Sequence, residues 1–140
     1  MMRSWTLPIL FVVAGVLMAV AVTDTGVPFL VAFVLLAGLN SPLMFPRSIA
    51  ATEARRRSAL DGRPIVYWRP GCKYCIRLRI RLGRDARRLH WVNIWRDPDG
   101  AAEVRAANNG NETVPTVVTA GRPHVNPTPD WVRGQLPPST

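Results

Sequence analysis

Cysteine and histidine are scarce in this chain, which contains two of each in 140 residues. Two cysteines cannot form the multi-disulfide framework that stabilises small secreted domains. A structural zinc site needs four ligands, and His90 and His124 lack the paired spacing of such ligands. We therefore expect no metal site within the chain and both histidines on its surface.

Lysine is nearly absent as well, because Lys73 is the only lysine among 18 basic residues, against 9 acidic ones. The charge is also unevenly distributed. Residues 5–46 contain one charged side chain, Asp24, and nearly all of the arginines come from Arg47 onward, so the net charge of +9 belongs to that later part. No nucleic-acid-binding motif accompanies this charge, and we therefore expect no nucleic-acid partner.

The part that lacks charge consists of two long apolar runs. Residues 5–22 would form a helix about 27 Å long at ~1.5 Å per residue, close to the ~30 Å of a bilayer core. A second run covers residues 27–45, after a short polar turn. The pattern predicts a membrane anchor over residues 1–47, formed by two transmembrane helices. A cleaved signal peptide is the alternative for the first run, since Ala19-Val20-Ala21 has the small residues of a cleavage site.

Arginines follow the second run, at Arg47 and at Arg55–Arg57. The positive-inside rule keeps such clusters on the cytoplasmic side of a membrane. We therefore expect a multi-pass protein of the inner (plasma) membrane, with the lipid bilayer as a partner and the remaining domain facing the cytoplasm. Residues 48–62 are interpreted as a juxtamembrane linker.

Strand and helix patterns alternate over residues 63–136, and residues 137–140 are expected to form a flexible tail. Asp97 is expected to cap one helix, with Pro98 at its first position. The order β-α-β-α-β-β-α is typical of an α/β sheet. The predicted elements are strand 64–68, helix 72–88, strand 89–94, helix 98–107, strand 116–119, a short strand at 124–125 and helix 130–136.

Residues 76–82 alternate with period two, which alone would indicate a strand. A helix accounts for the whole stretch to Arg88, because it collects the side chains into separate faces. One face is basic, a second is apolar, and Ile76 and Ile80 form another apolar patch, so the helix is expected to be buried on two sides. The basic face comprises Arg77, Arg81, Arg84 and Arg88, and the apolar face Cys75, Leu78, Leu82 and Ala86.

The two cysteines are three positions apart, in Cys72-Lys73-Tyr74-Cys75, at a strand-to-helix turn. Unpaired N–H groups at the helix N-terminus favour a thiolate at Cys72, and Arg69, Lys73 and Arg77 add positive charge nearby. We expect Cys72 to be the attacking thiol and Cys75 the resolving thiol. An inert buried pair, or half of a metal site, remains open as an alternative.

Thr113-Val114-Pro115-Thr116 precedes the third strand of the domain. Together with the cysteine motif, Asp97-Pro98 and Asn126-Pro127, this segment resembles the glutaredoxin family, particularly the actinobacterial mycoredoxins. The resemblance covers Ile65 to Leu136 and implies a thioredoxin-like fold, preceded here by the expected transmembrane hairpin. It implies that Cys72 and Cys75 are catalytic and that Pro115 is cis. The substrate-binding residues are then expected to be Arg69, Lys73, Tyr74, Thr113, Val114 and Pro115.

The resemblance implies a thiol–disulfide oxidoreductase that has no bound cofactor and uses mycothiol or glutathione as a cosubstrate. It would reduce mixed disulfides between this low-molecular-weight thiol and protein cysteines. The Gly-Gly-x-x-Asp segment of glutathione-specific glutaredoxins is missing, which favours mycothiol or a protein disulfide. Within the same fold, the alternative is a dithiol electron donor to a specific protein such as ribonucleotide reductase. An alternative of another class is a non-enzymatic membrane adaptor whose cysteines bind metal.

Overall fold

The computed structural model describes residues 6–21, 26–40 and 45–138. The chain divides into two compact units, Met1–Phe45 and Pro46–Thr140. The first unit contains helices α1 (Thr6–Ala21) and α2 (Gly26–Asn40), which pack against each other. A Cβ atom at Gly15 would lie 2.7 Å from the Phe33 Cβ, so a glycine is needed at this contact between the two helices.

The predicted pair of transmembrane helices is not confirmed. Helices α1 and α2 contain 16 and 15 residues, which corresponds to about 24 and 22 Å at ~1.5 Å per residue. Over the described ranges, none of the helices combines the length and the apolar character that crossing a bilayer requires. Parts of the two predicted spans, residues 5, 22 and 41–44, lie outside the described residues.

The second unit is a mixed α/β domain, and its element order confirms the predicted β-α-β-α-β-β-α series, with one more helix in front. A 3₁₀ helix over Gly83–Arg88 follows the first helix of the series. The elements are α3 (Ala51–Asp61), β1 (Ile65–Trp68), α4 (Lys73–Leu82), β2 (His90–Asn93), α5 (Pro98–Ala107), β3 (Thr116–Thr119), β4 (Arg122–Val125) and α6 (Pro129–Gly134).

The four strands form one sheet in the order β2-β1-β3-β4. Strand β1 is parallel to β2 and antiparallel to β3, which is antiparallel to β4. Every residue of β1 and β2 is buried, as expected for strands covered on both faces. Helix α4 contacts α6, and α3 contacts α5.

The helix predicted for residues 72–88 ends early, at Leu82. Gly83 has φ +56°, and its N–H donates to the carbonyls of Arg79 and Ile80, so the α-helix is capped there and the chain continues as a 3₁₀ helix. The predicted apolar face is buried, but Ile80 is 54 % exposed, so the expectation of a second buried patch was wrong there. The four buried residues of the predicted apolar face are Cys75, Leu78, Leu82 and Ala86.

The segment interpreted as a linker folds onto the sheet of the second unit. The Ile49 N–H donates at 3.0 Å to the carbonyl of Trp91, a residue of strand β2. The Trp68 indole donates to the Ser48 hydroxyl at 2.9 Å, at the end of β1. The chain is therefore fastened to the domain before α3 begins. At the other end of the domain, the Arg88 guanidinium donates to the Pro137 carbonyl, at the start of the predicted tail.

Candidate active site

The reactive region lies where β1 ends and β3 begins. Tyr67 pairs with Thr116 in the antiparallel register, so the chain leaving β1 passes close to the residues before β3. The Cys72 thiol donates to the Val114 carbonyl, with 3.3 Å between sulfur and oxygen. The Val114–Pro115 peptide bond is cis, which confirms both the predicted bond and its predicted proximity to Cys72.

Cys72 is the N-cap of α4, and its sulfur accepts a hydrogen bond from the Cys75 backbone N–H at 3.4 Å. The half-buried thiol is more acidic than a free cysteine, because its surroundings lower the pKa of Cys72 to about 6. The largest cause is a hydrogen bond from the Cys75 thiol. Burial opposes the shift, and the backbone N–H groups of Cys75 and Tyr74 and the charge of Arg69 add to it.

Cys75 is fully buried and has the opposite character. Its hydrogen bond to Cys72, its burial and the negative charge of a Cys72 thiolate all raise the pKa of Cys75. A proton shared by the pair therefore resides on Cys75. Cys72 is therefore the accessible thiolate, and Cys75, about one helical turn further along α4, is the protonated thiol. Thiol–disulfide exchange requires these two roles.

The other predicted site residues lie around this pair in different ways. Arg69 is half-buried, and its charge lowers the pKa of both thiols, although for Cys75 the raising causes prevail. The Lys73 amino group instead lies 5.1 Å from the centroid of the Tyr74 ring, in a cation–π contact. The Thr113 side chain is exposed, and its carbonyl accepts from the Thr116 hydroxyl at 2.8 Å. Val114 and Pro115 are buried.

A cavity of about 380 Å³ opens beside Tyr74, between α4 and the start of α6. The Asn126 N–H donates to the Pro115 carbonyl at 2.7 Å, which brings this wall of the cavity to the cis-proline loop. Sequence alone did not predict the cavity, although Tyr74, Arg77 and Arg81 follow the i, i+3, i+7 spacing of one helix face. Its lining consists of Tyr74, Arg77, Leu78, Arg81, Asn126, Pro127, Thr128, Pro129, Asp130 and Arg133.

The histidines take no part in this site. His90 is buried in β2, and its Nε2 lies 2.9 Å from an Asp61 oxygen, so the prediction of a surface position was wrong for His90. His124 is exposed and its ring contacts that of Trp131, with ring centroids 4.0 Å apart and the ring planes tilted by 43°. Within residues 6–21, 26–40 and 45–138, no three His, Cys, Asp or Glu side chains are grouped as metal ligands would be.

An acidic thiol at a helix N-terminus, a buried partner thiol and a cis-proline loop on a four-stranded sheet define a thiol–disulfide oxidoreductase. Comparison with known proteins gives the family. Residues 65–125 match the family model described as glutaredoxin. Two Mycobacterium tuberculosis proteins named "Putative glutaredoxin", from strains CDC 1551 / Oshkosh and ATCC 25618 / H37Rv, are each 36% identical over 72 residues, which is 51% of this chain and 86% of theirs. The chain belongs to the glutaredoxin family. No solved structure matches it significantly.

Proposed function

We propose that the chain reduces mixed disulfides between a mycothiol-like low-molecular-weight thiol and protein cysteines. The Cys72 thiolate attacks the sulfur of the small thiol, forms a disulfide with it and releases the protein thiolate, which takes up a proton. A second molecule of the small thiol then attacks this intermediate as a thiolate. The two small-thiol molecules leave together as a disulfide, and the Cys72 thiolate is restored. The net reaction converts the mixed disulfide and one free small thiol into the protein thiol and the disulfide of the small thiol, so that free thiol is the reductant.

The observation that carries this proposal is the position of the Cys72 sulfur. It lies 3.3 Å from the Val114 carbonyl, at the cis-proline loop, and its lowered pKa keeps it ionised at neutral pH. In the proposed roles, the backbone at Val114 and Pro115 aligns the disulfide, Tyr74 forms a wall beside it and Arg69 stabilises the thiolate. Thr113 and Lys73, which are exposed and adjacent in the chain to Val114 and Cys72, are proposed to contact the substrate as well.

A second candidate within the same chemistry is supported by the placement of Cys75. Its thiol is hydrogen-bonded to Cys72, so it lies within reach of any disulfide formed on that sulfur. Attack by Cys75 would form the Cys72–Cys75 disulfide and release the bound substrate as a thiol. This is the dithiol route of an electron donor to a specific protein disulfide.

Serine variants of each cysteine separate these routes. Three substrates are compared: a mycothiol–protein mixed disulfide, a glutathione–protein mixed disulfide and an intramolecular protein disulfide. Cys72→Ser should abolish turnover of all three, because a neutral hydroxyl is too weak a nucleophile. Cys75→Ser should retain turnover of the mycothiol mixed disulfide and lose that of the protein disulfide.

Retained activity in Cys72→Ser would overturn the assignment of the nucleophile. Loss of every activity in Cys75→Ser would establish the dithiol route in place of the mixed-disulfide route. Faster turnover with glutathione than with mycothiol would overturn the choice of cosubstrate alone.

We also propose that the first unit attaches the chain to the plasma membrane, with the second unit on the cytoplasmic side. The support is the exposure of large apolar side chains along both helices, among them Leu10, Leu17, Val20 and Leu35, at 63%, 65%, 76% and 63%. Helices that are apolar on all sides are typical of membrane or core environments. The arginines after α2 favour the cytoplasmic side. A reporter fused to the carboxyl terminus should therefore show cytoplasmic activity, and periplasmic activity would overturn the orientation.

A further inference from the structure

The arginines of the second unit fall into two groups according to their partners. One group is neutralised by nearby carboxylates. Its members are Arg55 with Glu103, Arg56 and Arg57 with Glu53, Arg63 with Asp61, Arg88 with Asp85, Arg105 with Glu112, and Arg133 with Asp130 and Asp85. The other group includes Arg77 and Arg81 of α4, which are exposed and have no carboxylate partner within the described part of the chain. We call these two residues the α4 basic face.

The α4 basic face begins next to the reactive thiol. Arg77 and Arg81 line the cavity that also contains Tyr74, and Tyr74 donates its backbone N–H toward Cys72. Arg133, in the same cavity, is already paired with Asp130 at 2.7 Å. The cavity therefore retains the two positive charges of Arg77 and Arg81, within one helical turn of each other.

From this distribution we infer that the α4 basic face docks an acidic segment of the protein substrate, with carboxylates near the cysteine that reacts. The inference rests on the proposed function and adds a substrate class to it. Measured along the axis of α4, Arg77 and Arg81 lie about 7 and 13 Å from Cys72 at ~1.5 Å per residue. An extended peptide advances ~3.3 Å per residue. A substrate whose cysteine reacts at Cys72 would therefore meet the arginines with residues about two to four positions away.

A protein segment fits this row better than a single small thiol does. Arg77 and Arg81 are about 6 Å apart along the axis of α4 at ~1.5 Å per residue, so an extended segment at ~3.3 Å per residue can present two acidic side chains to them, two positions apart. Positive charge along a path that leads to the reactive atom raises the rate of encounter with an oppositely charged partner, by about tenfold or more at low ionic strength. The expected effect is thus on kcat/KM, and it should weaken with salt.

The test uses the full chain and two peptides that differ only in charge. Each carries a cysteine in a mixed disulfide with the same small thiol, flanked on one side by glutamates at two and four positions in the first peptide and by glutamines in the second. The selectivity ratio, kcat/KM for the acidic peptide divided by that for the neutral peptide, should be about ten at low ionic strength. It should fall toward one as salt is raised to screen the charges.

Matched variants assign the selectivity to particular residues. Arg77→Glu with Arg81→Glu should reduce the ratio to one or below, whereas Arg77→Lys with Arg81→Lys should keep most of it. Arg122→Glu is the control, because Arg122 is also exposed and pairs with Thr119, at the end of the β3–β4 ladder remote from Pro115. It changes the net charge in the same direction and should leave the ratio unchanged.

A ratio near one in the unmodified chain would overturn the inference while leaving the proposed function intact, provided that the neutral peptide is reduced. An equal loss of selectivity in Arg122→Glu would overturn it in favour of net charge. If the α4 basic face instead binds anionic lipid, the chain should show no preference between the peptides. Anionic vesicles should then protect Arg77 and Arg81 from an arginine-modifying reagent. That pair of results would also overturn the inference. Failure to reduce either peptide would instead count against the proposed function.

Discussion

At the scale of single residues, the site depends on how one proton is divided between two sulfur atoms. The Cys75 thiol donates to Cys72, so each thiol shifts the pKa of the other in the opposite direction. The contact between the Cys72 thiol and the Val114 carbonyl acts against ionisation, because only the protonated sulfur can donate. The donors to Cys72 outweigh that single acceptor, and Cys72 remains the acidic thiol.

The first prediction concerns the pH dependence of Cys72 alkylation. The rate with iodoacetamide follows the thiolate fraction, so it should rise with pH through a midpoint of about 6 and level off near neutrality. In Cys75→Ala the largest cause of the shift is gone, and the midpoint should move up toward the free-cysteine value of ~8.5.

Cys75→Ser is the matched control for this measurement, because its hydroxyl still provides a donor at the same position. Its midpoint should lie between those of the unmodified chain and Cys75→Ala. If Cys75→Ala alkylates with an unchanged midpoint, the hydrogen bond between the two side chains does not control the acidity of Cys72.

At the scale of elements, helix α5 is fixed at its first turn by close packing. A Cβ atom at Gly100 would lie 2.9 Å from Val92 Cγ1 on β2 and 3.3 Å from Tyr67 Cε1 on β1. Gly100→Ala should therefore lower the free energy of unfolding by about 1–3 kcal/mol through overpacking, although alanine has the better helix propensity. Gly134→Ala is the control, since a Cβ there meets nothing within 4 Å. Chemical denaturation should show no loss of stability for Gly134→Ala, and equal effects of the two substitutions would contradict the packing argument.

Asp97 fastens two elements with one carboxylate. Its Oδ1 accepts from the Gly100 N–H at 2.8 Å, which caps α5, and its Oδ2 accepts from the Ala51 N–H at 2.8 Å, which holds the start of α3. Asp97→Ala should cost about 1–3 kcal/mol of stability, because both donors lose their acceptor. Asp97→Asn keeps one side-chain acceptor and should cost less.

Asp99→Ala is a control for this prediction, because Asp99 is exposed in the same first turn and accepts neither of these bonds. Thermal unfolding of the four proteins should give the order unmodified, Asp99→Ala, Asp97→Asn and Asp97→Ala, from most to least stable. A fully stable Asp97→Ala would contradict the double role of Asp97.

The same carboxylate illustrates what the sequence can predict. Capping depends on neighbours in the chain, so Asp97 and Pro98 located the start of α5, and the cysteine spacing located the turn before α4. The bond from Ala51 to Asp97 and the pairing of His90 with Asp61 join residues far apart in sequence, and no local pattern indicates them. The cavity beside Tyr74 escaped prediction for the same reason, since it depends on the packing of α4 against α6.

At the scale of the whole molecule, the two units differ in what their surfaces offer to solvent. The second unit buries its apolar side chains around a sheet, and its exposed surface is rich in arginine. The first unit exposes large apolar side chains on both of its helices. Contiguous apolar surface of this kind is typical of contact with a membrane or another protein, and lipid is its proposed partner here.

The last prediction tests that assignment by flotation of the full chain with lipid vesicles. Bound chain should rise with the vesicles in a density gradient. Replacing Leu17 and Leu35, which are 65% and 63% exposed, with aspartate should abolish flotation, because each aspartate costs about 3 kcal/mol relative to leucine in hydrocarbon. Leu60→Asp is the control, since Leu60 is 77% exposed but lies on α3 in the second unit, and that variant should still float. If the doubly substituted chain still floats, these helices do not mediate binding. If the unmodified chain stays at the bottom of the gradient, the membrane proposal is overturned, and the chemistry proposed for Cys72 is unaffected.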